Sequence, residues 1–230
     1  MQIQMPFVMP FVIVAVLVVA AIGAIYGVIQ ARKRQEGLFE LAQRLSLEFS
    51  PAEDHEIADR YGFLKELAEG ENRYACNVLS GTYQQNQVLA FDYHYETHTT
   101  DSKGNRETQH HWLSFFILTL PAVFPDLTIR RENFLTKVAE AFGYQNIQFE
   151  SAEFSKAFCV RSPDKKFAYD VCNAQMMEYL LANRDLSVEI ENQVLALAFN
   201  TRLSVKQIAA NLQRQVEIRS RLPEYLFTNS

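Results

Sequence analysis

The chain opens on an apolar run with no polar stripe. Phe7 to Ile29 holds 23 residues without a charge, dominated by Val, Ile, Ala, Leu and Phe. As a helix this run spans about 34 Å, against a hydrocarbon core of about 30 Å. It predicts a transmembrane helix, with Pro6 and Pro10 near its start, where a missing N–H costs least. Helical spacing then continues: Leu38, Leu41, Ala42 and Leu45 predict a helix over 31–47. Ser50-Pro51-Ala52-Glu53 reads as a capping box that opens a second helix, which Gly62 interrupts or ends.

From Tyr74 the pattern shortens its period. Segments 74–83, 88–99 and 108–120 are rich in β-branched and aromatic residues and partly alternate, which predicts a three-stranded antiparallel meander. Gln84-Gln85-Asn86-Gln87 and Asp101-Ser102-Lys103-Gly104-Asn105 supply its turns. Pro121 and Pro125 are expected to break the sheet. A helix is expected over 131–142, short strands over 147–150 and 157–161, a turn at Ser162-Pro163-Asp164, and a helix over 174–182. Leu186–Glu191 and Val194–Asn200 read as a hairpin. The last helix is the best specified. Ser204 and Gln207 form a capping box, Leu203 can staple onto Ile208, and Val205, Ile208, Ala209, Leu212 and Val216 make one apolar stripe.

Helices interspersed with meander strands give the α+β class, not a doubly wound sheet. The expected organisation is a transmembrane anchor over 1–30, a membrane-proximal helical segment over 31–72 and an α+β domain over 73–230, with a sub-boundary near 121–125.

Charge orients the anchor. No Lys or Arg precedes the apolar run, whereas Arg32, Lys33 and Arg34 follow it. The positive-inside rule places the domain in the cytoplasm and the short N-terminus outside, a single pass through the inner membrane. A cleaved signal peptide would want a basic n-region and a shorter apolar core, and neither is present. The net charge of −5 argues against nucleic acid as a partner. Cys76, Cys159 and Cys172 are odd in number and widely spaced, which fits reduced, buried thiols and neither a disulfide framework nor a zinc motif.

The glycines beyond the anchor never approach closer than eight positions, so GxGxxG, the Walker-type loop and GxSxG cannot be written, and HExxH is missing. One cluster invites chemistry. Asp92, His94, Glu96 and His98 recur at every second position, so a strand would align them on one face, and His110 or His111 would join from the paired strand. Imidazoles with carboxylates suit zinc or a similar divalent ion. The competing reading makes Leu89, Phe91, Tyr93 and Tyr95 the core face and the polar set a solvated face. A second set is basic. Arg32, Lys33 and Arg34 beside the anchor, and Lys206, Arg214 and Arg221 on the last helix, could meet lipid headgroups or an acidic partner.

The segments Asn77-Val78-Leu79-Ser80-Gly81, Phe91-Asp92-Tyr93-His94-Tyr95 and Phe154-Ser155-Lys156-Ala157-Phe158-Cys159-Val160-Arg161-Ser162, followed by Asp164 and Phe167-Ala168, carry a resemblance. They resemble a family of bacterial single-pass membrane-anchored proteins known as a domain of unknown function. The resemblance implies a bacterial source and an inner-membrane anchor, and assigns no catalytic residues.

The leading expectation is a non-enzymatic, membrane-tethered cytoplasmic module without a cofactor, binding lipid through its anchor and a protein partner or the membrane surface through its domain. The alternative is a metal-dependent hydrolase or metal sensor built on the hairpin histidines. A carrier of apolar ligands would rest only on 17 Phe and 10 Tyr, which a core explains as well.

Overall fold

A computed structural model describes residues 9–100, 104–131 and 145–228. From Met9 onward the apolar run and the helix after it are one unbroken α-helix, α1 (Met9–Leu45), about 55 Å long at 1.5 Å per residue. No residue from Val12 to Lys33 is buried, while Leu38, Leu41 and Ala42 are buried in the domain. Among the described residues this is the one helix long and apolar enough to cross a membrane. Among the described residues nothing covers its exposed apolar length.

Among the described residues six antiparallel strands follow, in an α+β arrangement. They are β1 (Glu48–Ser50), β2 (Glu71–Tyr83), β3 (Asn86–Thr100), β4 (Arg106–Arg131), β5 (Phe158–Arg161) and β6 (Val188–Phe199). The order is β1-β2-β3-β4-β5, with β6 on the other edge of β4. Between them lie α2 (His55–Arg60), α3 (Lys65–Ala68), α4 (Ala152–Ala157), α5 (Lys165–Val171) and α6 (Ala174–Ala182), and the chain closes with α7 (Val205–Arg221) and α8 (Tyr225–Thr228). The sheet is covered on both faces. α1 and α7 bury Leu38, Leu41, Ile208 and Leu212 against Ala90, Phe116 and Leu118. The opposite face carries Phe91, Tyr93, Phe115 and Ile117 under Ile57, Leu64 and Leu67 of the α2–α3 segment. Each fully buried aliphatic or aromatic side chain contributes about 1.5–3 kcal/mol.

Local chemistry explains most elements. Ser204 and Gln207 make the expected capping box on α7. The β2–β3 turn narrows to Gln84 and Gln85, both at positive φ, the two-residue loop whose twist suits a hairpin. The second helix is capped by Asp54 and not by Ser50, because Glu48–Ser50 is drawn into pairing with Val78–Ser80 and the Asp54 carboxylate accepts from Ile57 N–H.

Two expectations are corrected around the prolines. Pro121 and Pro125 do not end the strand: β4 runs through them to Arg131, and the register against β6 shifts at Thr119–Phe124 and again at Phe124–Leu127. Bulges absorb the missing donors and keep Phe124, Leu127 and Ile129 in one core. The hairpin expected over 186–200 is likewise a single strand. Asn192, at φ 53°, pairs with Phe124 between the two register shifts, where a turn was expected. Only one of the two short strands expected before residue 162 forms, at Phe158–Arg161, and the helix expected over 131–142 lies, apart from Arg131, outside the described residues.

Candidate functional site

β2 carries two bulges, and each aims an asparagine at a carboxylate of β3. Pairing slips by one residue between Glu71 and Tyr74 and again between Cys76 and Leu79. Asn72 (φ 49°) and Asn77 (φ 53°) occupy the slips in the left-handed conformation that Asn tolerates. Asn77 Nδ2 donates to Asp92 at 2.9 Å, and Asn72 Nδ2 donates to Glu96 at 2.8 Å.

Asp92 is 1% exposed. Arg34 Nε and Nη2 donate to its two oxygens at 2.8 and 2.7 Å, and Arg34 Nη1 donates to the Leu203 carbonyl at 2.7 Å. Ser114 Oγ donates to Asp92 at 3.3 Å and accepts from Leu203 N–H at 2.9 Å. Arg202 stands 3.5 Å from the same carboxylate, its guanidinium 3.7 Å above the Trp112 ring. One buried carboxylate thus ties α1, β2, β3, β4 and the start of α7 together.

Two residues along β3 lies a cluster of imidazoles. Tyr74, His94 and Trp112 are cross-strand neighbours on β2, β3 and β4. The Tyr74 and His94 rings stack at 4.6 Å, and His94 and Trp112 lie 4.7 Å apart. Glu96 faces His110. His94 Nε2 is 3.1 Å from His110 Nδ1, and His110 Nδ1 is 3.4 Å from Glu96 Oε1. His94 Nδ1 meets the Asn72 carbonyl at 3.3 Å. Burial lowers the His94 pKa, and the Asn72 amide holds the Glu96 carboxyl below its usual value.

The face expected to be solvated is therefore buried at Asp92, where Arg34 of α1 and Arg202 reach over it, and at His94, which is 3% exposed between the Tyr74 and Trp112 rings. Of the six candidate metal ligands, the structure brings His94, Glu96 and His110 together. Asp92 is engaged by Arg34. His98 bonds Thr108 at 3.0 Å and faces Glu71 at 3.5 Å. His111 points to the other face of the sheet, where it stacks on Tyr95 at 4.6 Å and bonds Thr97 at 2.7 Å.

The basic set divides too. Arg32, Lys33 and Lys206 are exposed. Arg34 closes on Asp92, Arg214 pairs with Asp185 at 2.8 Å, and Arg221 stacks 3.9 Å from the Tyr179 ring while donating to the Glu217 carbonyl.

A further group escaped the sequence reading. Past the β4 bulges, Arg130 pairs with Glu66 of α3 and lies 3.5 Å from the buried Glu189 of β6. Burial first, and the neighbouring Glu66 second, push Glu189 well above the carboxylate range. Beside them opens a cavity of about 510 Å³, lined by Glu66, Glu69, Tyr95, His111, Trp112 and Arg130 among others. Its only trace in the sequence is alternation. Asp126, Thr128 and Arg130 interleave with Leu127 and Ile129, a pattern a surface strand shares.

Fold and site together define an α+β domain whose core is built onto the end of a long apolar helix. The fold is similar to that of the mycobacterial trehalose monomycolate transport factor A, TtfA, in its crystal structure, with a TM-score of 0.59 and 14% identity over 84% of this chain and 96% of that one. No family model matches the chain, and no curated protein matches it in sequence.

Proposed function

We propose that this chain is a membrane-anchored accessory factor: a non-catalytic module that presents its sheet domain on the cytoplasmic face of a membrane and docks a protein partner there. The observation that carries the reading is the unbroken α1. A domain joined by a flexible linker sweeps a volume; this one is fixed, because Arg34, five residues beyond the apolar run, is locked to Asp92 in the sheet. The domain is thereby held at one distance and one tilt relative to the apolar segment, which suits a scaffold that must meet a neighbour in the same bilayer.

Two further features support it. Arg32 and Lys33 remain exposed directly after the apolar run, as expected of residues at a cytoplasmic headgroup layer. The shared fold with a protein described as a transport factor fits an accessory role beside a membrane machine.

The test is recovery from membranes. After carbonate extraction the intact chain should stay in the membrane pellet. Affinity purification of the full-length chain from detergent extract should recover a specific protein that a truncation lacking residues 1–30 recovers less well. Failure to recover any specific partner, together with failure of the full-length chain to remain in the pellet, would end the proposal.

A further inference from the structure

We propose that His94, Glu96 and His110 form a three-ligand site for a borderline divalent cation, Zn²⁺ foremost, on the face of β3 and β4. The claim is independent of the docking role.

The argument begins with spacing. An ion about 2.0–2.1 Å from two imidazole nitrogens at a tetrahedral angle sets them about 3.3–3.4 Å apart. His94 Nε2 and His110 Nδ1 stand 3.1 Å apart, and His110 Nδ1 and Glu96 Oε1 stand 3.4 Å apart. All three donor atoms lie within 4.8 Å of one another. A hydrogen bond between the two rings explains the first distance alone. It does not explain a carboxylate oxygen placed at ligand spacing from the same nitrogen.

The surroundings are those of a metal site. Metal-bound histidines usually direct the other ring nitrogen at a carbonyl or carboxylate, which fixes the tautomer. His94 Nδ1 meets the Asn72 carbonyl, leaving Nε2 free to act as a ligand. The Asn72 side chain also donates to Glu96 Oε1 and so orients the carboxylate. One residue in a β2 bulge thus supports two ligands, and a regular strand could not turn both its carbonyl and its amide to them. The Tyr74 and Trp112 rings flank His94 and limit its rotation. Access comes from the other side, since the His110 side chain is 58% exposed. Two nitrogens and one oxygen suit Zn²⁺ better than Mg²⁺ or Ca²⁺, and three protein ligands leave one tetrahedral position for water or another small ligand.

The test uses the full-length chain in detergent, without a polyhistidine tag, stripped with a chelator and titrated with ZnCl₂ by calorimetry. About one equivalent should bind, with the affinity falling about 10–100-fold or more in His110→Ala and in Glu96→Gln. His98→Ala and His111→Ala should bind as the parent does. His94→Ala risks the fold because that ring is buried, so His110→Ala carries the decision. Co²⁺ gives a second readout: the His94 ring lies 4.7 Å from that of Trp112, the one tryptophan in the chain, whose fluorescence Co²⁺ should quench with saturation at one equivalent, an effect absent in His110→Ala. Binding below about a tenth of an equivalent, or equal losses in His98→Ala and His110→Ala, would overturn the site.

Discussion

Arg34 and Asp92 are 58 residues apart in the chain and meet as a two-pronged ion pair between α1 and the middle of the sheet. The pair sits where the apolar helix becomes part of the core, so its loss should affect both stability and the rigidity of the junction. Removing one member leaves the other charge buried, a cost of about 3–5 kcal/mol. Arg34→Ala should therefore lower the thermal midpoint by about 10 °C, at about 2–4 °C per kcal/mol for a chain of this size. Arg34→Lys should recover only part of this, because an ammonium cannot make the fork. Arg34→Ala with Asp92→Ala should cost less than the sum of the two; additivity within about 0.5 kcal/mol would refute the coupling.

Glu189 reverses the usual behaviour of a carboxylate. Its pKa is raised in the folded chain, by burial first and by Glu66 second. Above about pH 4.3, where an unfolded Glu releases its proton, the folded chain still holds one. Stability contributed by that proton is fully present below the unfolded value and is lost as pH rises through the folded one. Glu189→Gln should raise the midpoint at pH 7.5 by about 2–4 °C, equivalent to about 1 kcal/mol, and give no gain at pH 4.5. A lower midpoint at pH 7.5 would mean that its pairing with Arg130 outweighs the burial of its charge.

Much of this architecture is legible in the sequence where the signal is local. The apolar run, the Ser204–Gln207 cap and the β-branched segments each state their element within a few residues. What fails depends on partners far along the chain. Asn192 and its neighbours look like a turn, and stay in the strand only because Phe124 lies opposite. Ser50 looks like a cap until β2 claims it as strand. The hairpin shows the same limit at the candidate site. Alternation correctly separates Asp92, His94 and Glu96 from Phe91, Tyr93 and Tyr95, but period two says nothing about what covers a face. Arg34 and Leu203, 58 and 111 residues away from Asp92, bury it. The Glu66–Arg130–Glu189 group is harder still, since it assembles from three separate elements.

The three cysteines are buried. Burial, with the neighbouring Asp92 second, pushes the Cys76 thiol up to about 11, and burial alone pushes Cys172 higher. Thiolate is the reactive form, so neither is a nucleophile near neutral pH. Dithionitrobenzoate at pH 7.5 should label essentially no thiol in the native chain and all three after denaturation. Rapid native labelling of one thiol would show that its cover opens, and Cys76→Ser would identify whether Cys76 is that thiol.

Gly70 tests whether the backbone beside Glu96 is as tightly fixed as its contacts imply. It adopts φ +70°, and an added Cβ would run into the Glu96 carbonyl oxygen and the edge of the Tyr95 ring. The ring can turn aside; the carbonyl belongs to a strand paired with β4 and cannot. Gly104 is the matched control, at φ +84° with nothing among the described residues within 4 Å of its added Cβ. Both alanine variants carry the left-handed cost of about 1–2 kcal/mol, and only Gly70→Ala adds the collision. Gly70→Ala should thus destabilise by about 2–4 kcal/mol, the range of a core defect, and Gly104→Ala by about 1. If the Glu96 carbonyl is displaced instead, the carboxylate moves with it, and zinc affinity should fall in Gly70→Ala while staying unchanged in Gly104→Ala. Equal stability losses in the two variants, with zinc binding intact in both, would show that the Gly70–Glu96 approach does not constrain the strand.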